Sequence, residues 1–374
     1  MRSSVKTIAF YLPQFHRIPE NDEWWGEGFT EWVNVQKSTP LFPGHVQPEI
    51  PLDGKYYDLL DPDVQRWQAA IAKKYGVNGF CYYHYWFDGK LLLEKPMENM
   101  LEHADIDIPF CVCWANETWS RTWNGAESNI LIAQNNSESM QGRKKHFDYL
   151  RPFFLDPRYI KIDNRPLFIV YKPQLFEKMN EMITEWNAYA KELGFDGICW
   201  VYQHYSAFVP KVKEIFDWGI EFEPFYTVNR IAKKSPDGFV SHIVRRLRSK
   251  IKEAVRRARK YPKRYRYEDI WNDITTREVE EKHALGAFSS WDNTPRMGRN
   301  GTVFAGASPE KFRTYFSKQI DRIQKHDIPQ FIFVNAWNEW GEGAHLEPDK
   351  KNGYGYLEGI RSVMLPEDPD RQER

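Results

Sequence analysis

Eight short apolar runs recur along the chain, each followed by a stretch that reads as helix, and few folds accept that rhythm. The runs are Val5 to Tyr11, Asn78 to Tyr83, Ile108 to Trp114, Pro166 to Tyr171, Gly197 to Tyr202, Gly219 to Phe222, Ala284 to Ser289 and Phe331 to Asn335. Runs that are mostly apolar, without strict alternation, are what strands covered on both faces look like, and parallel strands need a crossover helix between them. Several helix boundaries are legible. Asp61-Pro62-Asp63 places an acidic N-cap before a proline at the first helical position and predicts a helix through Tyr75. Ser308-Pro309 predicts another to about Lys325, and Gly194 predicts the stop of a helix that starts near Glu177. Weaker helical segments fall at Pro96 to His103, Gly142 to Phe154, Phe208 to Trp218, Ser241 to Lys260 and Tyr354 to Val363. Eight strands alternating with helices predict a (β/α)8 TIM barrel, and the 374 residues fit one such domain over 1–374 with insertions.

A barrel of this kind carries its chemistry at the C-terminal ends of the strands. Polar and aromatic residues crowd those ends here: Tyr11, Gln14 and His16; Tyr83, His84, Tyr85 and Trp86; Trp114, Asn116 and Glu117; Tyr171; Gln203; Glu221 and Glu223; Trp291 and Asp292. The last strand is the densest. Phe331 to Val334 ends in Asn335, Trp337, Asn338, Glu339, Trp340 and Glu342, which combine flat apolar faces, amides, and carboxylates able to act as acid, base or nucleophile. Singly, each reads as well as a helix-terminal acid or a core aromatic. Together they point to chemistry on a sugar. The candidates are Glu339 and Glu342 for catalysis, with Tyr11, Tyr83, His84, Trp86, Trp114, Asn116, Glu117, Trp291, Asp292, Asn335, Trp337 and Asn338 for substrate binding. For Asp292 a turn-forming role weighs equally with that of a third acid. For Trp24, Trp25, Trp86, Trp114 and Trp119, stacking on sugar and simple packing weigh equally. His16, His84 and His345 are candidate sugar contacts.

Composition narrows the partners. Formal net charge is zero and the pI is about 7.2, which gives no reason to expect nucleic acid. Aromatics make up 16% of the chain, an excess that fits a carbohydrate site and also fits a large core. Cys81, Cys111, Cys113 and Cys199 lie inside apolar runs with neither zinc nor disulfide spacing, so buried free thiols are expected. No HExxH or comparable ligand set occurs, and no metal or other cofactor is expected. The first residues lack an apolar leader and no run reaches about 20 apolar residues, so a cytoplasmic protein is expected. Two insertions stand out. Gln14 to Lys55 has the Trp, Gly and Pro content of an ordered active-site loop. The segment at about 226–282 contains the basic run Arg245 to Arg266, with an apolar stripe at helical spacing. An ordinary barrel helix with a solvated basic face carries more weight there than contact with an anionic membrane, at its inner face, or with a lipid-diphosphate carrier.

The segments IAFYLPQFH, WWGEGFTEW, GFCYYHYWF, WANETW, WDNTPR and WNEWGEG, in that order, resemble the WbsX-type proteins of bacterial surface-polysaccharide gene clusters. Their domain is similar to glycoside hydrolase family 99. The resemblance covers the chain from Ile8 to about Glu347. It implies a (β/α)8 barrel acting on a glycosidic bond of an oligosaccharide or polysaccharide, in O-antigen or capsule biosynthesis. The hydrolase family contains endo-acting α-mannosidases and mannanases that retain configuration without a metal. Its N-E-W-x-E-G motif falls on Glu339 and Glu342. By that carry-over Glu342 is the general acid and then base at the glycosidic oxygen, and Glu339 deprotonates the sugar 2-hydroxyl to form a transient 1,2-anhydro sugar. Direct carboxylate attack stays open, since a spacing of three fixes no geometry in a loop. Three functions follow: a retaining glycosidase or transglycosylase, a glycosyltransferase using an activated sugar donor, and a non-catalytic carbohydrate-binding barrel. Against the second, no Walker A run exists and GEGAHL fails G-x-G-x-x-G; the glutamate pair argues against the third.

Overall fold

The computed structural model describes residues 5–120, 130–205, 214–234 and 261–365. Eight parallel strands close on themselves: β1 (Lys6–Tyr11), β2 (Gly79–Phe87), β3 (Phe110–Trp114), β4 (Arg165–Val170), β5 (Cys199–His204), β6 (Trp218–Glu221), β7 (His283–Phe288) and β8 (Phe331–Asn335). Neighbours pair in chain order, and β1 pairs with both β2 and β8, which closes the ring. All eight expected strands are therefore present, as a (β/α)8 barrel.

Helices lie between the strands as the caps predict. Pro62–Lys74 starts where the Asp61 carboxylate accepts the Asp63 N–H, and Pro309–Lys325 starts where Ser308 Oγ accepts the Lys311 N–H. Lys95–Glu102, Met140–Leu155, Met179–Glu192 and Gly355–Met364 cover further expected segments. The helix expected over Phe208 to Trp218 is corrected at its end, because Trp218 opens β6; its start at 208–213 lies outside the described residues. So does the whole of the expected basic helix at 241–260. The flanks of that insertion are helices Phe225–Lys234 and Tyr267–Thr276, with a short strand Lys263–Arg266 paired to Thr302–Ala305.

The barrel interior is aromatic. Phe10 of β1 stacks on Tyr83 of β2 at 5.6 Å and meets Phe222 edge-on at 5.3 Å, with Phe333 at 5.8 Å. Cys113 of β3 donates to Gln203 Oε1 of β5 at 3.4 Å, past the intervening β4, so both side chains point inward. The alternate residues point outward to the helices, where each fully buried large apolar side chain contributes roughly 1.5–3 kcal/mol. All four cysteines are buried and unbridged. No described helix is long and apolar enough to cross a membrane.

Candidate active site

The β8 segment leaves the barrel through a clamp. The Trp337 N–H donates to Phe10 O at 2.7 Å, and the Asn338 side chain accepts from Leu12 N at 2.8 Å and donates to Leu12 O at 2.9 Å. These bonds tie the loop after β8 to the loop after β1. Asn338–Glu339 then pairs with Ala344–His345, and between them Trp340–Glu342 forms one 3-10 turn closed by Gly343 at φ 59°. In a 3-10 turn residues three apart eclipse, so Glu339 and Glu342 emerge on the same side.

Both reach one guanidinium. Arg296, on the short helix Thr294–Met297 after β7, places Nη2 at 2.9 Å from Glu339 Oε2 and Nη1 at 2.8 Å from Glu342 Oε1. Its Nε lies 2.8 Å from Glu31 Oε1, a carboxylate carried by helix Glu31–Lys37 of the insertion after β1. Burial raises Glu339 above the usual carboxylate range, with Glu342 and Glu31 adding to the effect and Arg296 opposing it. Burial also raises Glu342 against the same opposition from Arg296. The direction is physical: one positive charge faces three largely buried carboxylates.

Four tyrosines feel the charge of the pair. Burial raises the hydroxyls of Tyr83 and Tyr85 of β2, and Glu339 pushes them further. Burial likewise raises Tyr171 and Tyr205, with Glu342 adding to both. All four hydroxyls are thus neutral donors across the ordinary pH range. Glu117, after β3, accepts from Lys172 Nζ, which lies 5.0 Å from the Tyr171 ring centre and 5.6 Å from that of Tyr205. Above Tyr85 an aromatic patch continues, with half-buried Trp119 at 4.9 Å and half-buried Trp24 a further 6.0 Å on.

Of the sequence-derived candidates, the structure brings Glu339, Glu342, Tyr83 and Glu117 together. The others lie elsewhere. β2 runs on to Phe87, so His84 and Trp86 alternate outward, away from Tyr83 and Tyr85. His84 Nε2 meets His146 Nε2 at 2.9 Å, and burial lowers His84 to about 3. Trp86 stacks on His146 at 4.6 Å and donates to Glu138. Tyr11 donates outward to Gln68 Oε1 at 2.6 Å. Trp114 and Trp337 are fully buried and Trp291 nearly so, which decides Trp114 for packing over stacking and corrects the expectation that Trp291 and Trp337 bind substrate. Trp340 is also buried, stacked on His345 at 3.7 Å. Asn116 pins the Lys172 backbone through bonds of 2.8 Å to its N and O, and Asn335 donates to Glu223 O at 3.1 Å. Asp292 accepts from His45 and Gln47 at 2.6 and 2.8 Å and from Thr294 N and Oγ1 at 3.0 and 2.6 Å, while its N–H donates to Glu342 O at 2.7 Å. Its oxygens are spent on the protein, so it is an anchor for the turn that carries Glu339 and Glu342 rather than a third acid. His16 is buried, and burial lowers it against the opposing effects of Pro13 and Asp58.

Arg296 and Glu31 were not among the candidates, although both stand inside segments already distinctive, WDNTPR and WWGEGFTEW. Each was hidden by sequence distance, 43 residues between Arg296 and Glu339 and 265 between Arg296 and Glu31. Among the described residues no group of three or more His, Cys, Asp or Glu is arranged to hold a metal ion. A polar hollow lined by Arg165, Asn187, Lys191, Asp217 and Lys282 lies at the opposite end of the barrel, remote from the carboxylates.

The sequence profile described as Glycosyltransferase WbsX matches residues 7–360. The WxcX proteins of Xanthomonas campestris pv. campestris strains B100 and ATCC 33913 are each 35% identical, over 362 and 367 residues, covering 96% of this chain and 49% of theirs. The chain thus spans about half the length of these relatives. In three dimensions it is similar to the GH99 endo-alpha-mannosidase of Bacteroides thetaiotaomicron, with TM-score 0.54, 15% identity and 96% of each chain covered. The complex of that enzyme with bis-tris-propane gives TM-score 0.56 at 14% identity, covering 96% of this chain and 95% of that one. A glycoside hydrolase-like protein gives 0.54 at 11%, covering 97% and 94%. These likenesses show the fold.

Proposed function

The chain belongs to the WbsX glycosyltransferase family, and from that premise we propose that it remakes or breaks glycosidic bonds with Glu342 as acid and base and Glu339 as its partner base. The observation that carries this reading is the buried carboxylate pair held on one guanidinium at the C-terminal mouth of the barrel. Acid and base must differ by one proton, and two raised, interacting carboxylates hold one between them over a wide pH range.

The reaction then runs in two steps. Glu339 takes the proton of the sugar 2-hydroxyl, and that oxygen attacks the anomeric carbon as the bond to the leaving oxygen breaks. Glu342 gives its proton to the leaving oxygen. In the second step Glu342 takes a proton from an incoming hydroxyl, whose oxygen opens the 1,2-anhydro sugar, and the 2-oxygen recovers its proton from Glu339. Two inversions at one carbon retain configuration. Water as acceptor gives hydrolysis, while a sugar hydroxyl gives transfer, so one site serves both outcomes.

Charge favours this over a nucleoside-diphosphate sugar donor. Among the described residues around the pair, Glu31, Glu117, Glu339 and Glu342 face only Arg296 and Lys172, and both cations are already paired with carboxylates. A diphosphate needs uncommitted cations or helix N-termini. The substrate class is an oligosaccharide or polysaccharide of a bacterial surface, and α-mannosides are the first to try. The deciding assay incubates the protein with the repeat unit of its own cell's surface polysaccharide, with and without nucleotide sugars, and follows mass. Cleavage or transfer without a nucleotide supports the reading, and both Glu339→Gln and Glu342→Gln should abolish it while sugar binding persists. Full activity in either variant, or transfer only from a nucleotide sugar, refutes it.

A further inference from the structure

Glu31 contributes charge where geometry is already provided. Arg296 is held at Nη1 and Nη2 by Glu342 and Glu339, so its third bond, from Nε to Glu31 Oε1 at 2.8 Å, is not needed to aim it at the pair. The Glu31 side chain is 3% exposed, against 20% for Glu342, and its Oε1 lies against Gly341 of the turn. Its Oε1 also accepts from Asn34 Nδ2 at 3.2 Å, and its N–H donates to Gln14 O at 3.0 Å, which fixes the carboxylate on the insertion after β1. Glu31 acts on the pair in two ways, by pairing with Arg296 and by its own charge, which raises Glu339 and Glu342.

We propose that Glu31 is a positioning residue for protons: by neutralising Arg296 it leaves the Glu339 and Glu342 pair to share one proton, one group as acid and the other as base. The inference rests on reading those two as the catalytic pair. Without the charge of Glu31, the buried guanidinium would offset one of the two carboxylates and let both ionise, which removes the acid. Poor solvent screening makes the balance felt, since charge interactions strengthen as water is excluded. Among the described residues, the other charged or titratable groups facing the cluster leave its formal charge unchanged, although Glu117 adds to the raising of Glu342. Glu117 and Lys172, after β3 and β4, neutralise each other. Tyr83 and Tyr85 on β2, Tyr171 after β4 and Tyr205 after β5 stay neutral, their hydroxyls raised by burial. The insertion after β1 thereby holds part of the acid–base machinery, not only a wall of the site.

The test reads protons directly, without turnover. The full chain, labelled with carboxyl-13C glutamate, is titrated by NMR, and the pair's signals are assigned with Glu339→Gln and Glu342→Gln. The wild type should keep one proton on the pair to near neutral pH. Glu31→Gln keeps the oxygen that accepts from Arg296 and loses the charge, so the pair's upper titration should move down by roughly one pH unit or more. Arg296→Met should move it up. An unchanged titration in Glu31→Gln overturns the proposal. If that variant does not fold, the wild type decides, because loss of both protons below about pH 5 also overturns it. A correct titration in a protein that alters no saccharide refutes the proposed function alone; turnover with an unchanged titration refutes this inference alone.

Discussion

Gly341 is open where Glu31 needs room: a Cβ at position 341 would stand 2.0 Å from Glu31 Oε1 and 2.8 Å from Arg296 Nε. The glycine therefore lets one acid from the insertion after β1 lie beneath the turn that carries the two others. The requirement is one of space, since the contact lies with side chains pinned to each other on both sides. Gly341→Ala should push Glu31 or Arg296 out of line. Overpacking of this kind costs about 1–3 kcal/mol of stability. Displacing a positioning contact costs about 100-fold in rate. Denaturant unfolding, and kcat/KM for the saccharide that the mass assay shows to be altered, measure the two effects; full activity in Gly341→Ala would show that the Glu31 contact is dispensable.

Glu339 and Glu342 are both raised by burial, so activity should follow a bell displaced above the range of ordinary carboxylates. On the acid side, rate falls when the second proton binds and the base is lost. On the alkaline side it falls when the last proton leaves and the acid is lost. Because the shift is upward, the alkaline fall should come near or above neutrality, whereas isolated glutamates would place it near about pH 4–5. The pH profile of kcat/KM checks this, and a maximum below pH 4 would contradict it.

The barrel was legible because a strand buried on both faces leaves an apolar run, and all eight did so, with Asp61 and Ser308 marking helix starts through their own side chains. The pair Glu339 and Glu342 was legible because both lie on one short segment. What failed was direction. β2 was expected to end at Tyr83, which would put His84 and Trp86 in the site; it continues to Phe87, and the two-residue alternation sends them to the helix layer while Tyr85 stays with Tyr83. Trp114 and Trp337 look like sugar platforms by type and are core by position. Arg296 and Glu31 depend on tertiary closure between the first, seventh and eighth strands, which no local pattern reports.

Asp292 fixes the turn that carries Glu339 and Glu342 by a different route. Hydrogen bonds from His45, Thr294 and Gln47 hold its carboxyl below the ordinary aspartate value of 3.8, against the upward push of burial. A depressed carboxylate stabilises the fold above its unfolded value and loses that contribution as pH falls through the folded one. Asp292→Asn should therefore cost about 1–3 kcal/mol at pH 7, the range for hydrogen bonds to a buried charge. The gap between variant and wild type should narrow below about pH 4. Urea unfolding at several pH values measures it, and a gap independent of pH would assign Asp292 a purely steric role.

Trp119 and Trp337 separate stacking on substrate from packing in the core. Trp119 is half-buried beside Tyr85, at the edge of the site, whereas Trp337 is fully buried against Phe80 at 4.9 Å. Removing a ring that stacks on a distal sugar weakens substrate and transition state alike, so Trp119→Ala should raise KM about 10-fold with kcat nearly unchanged. Removing a core ring opens a cavity, so Trp337→Ala should cost about 3–5 kcal/mol of stability. The contrast holds only with an extended substrate, because a single sugar bound at Glu339 and Glu342 need not reach the Trp24 and Trp119 patch. A series of oligosaccharides of increasing length, assayed with wild type and Trp119→Ala, reads where that patch begins. If the two enzymes have the same KM at every length, Trp119 belongs to the packing beneath the site and the binding surface lies on the Tyr171, Lys172 and Tyr205 side of the mouth.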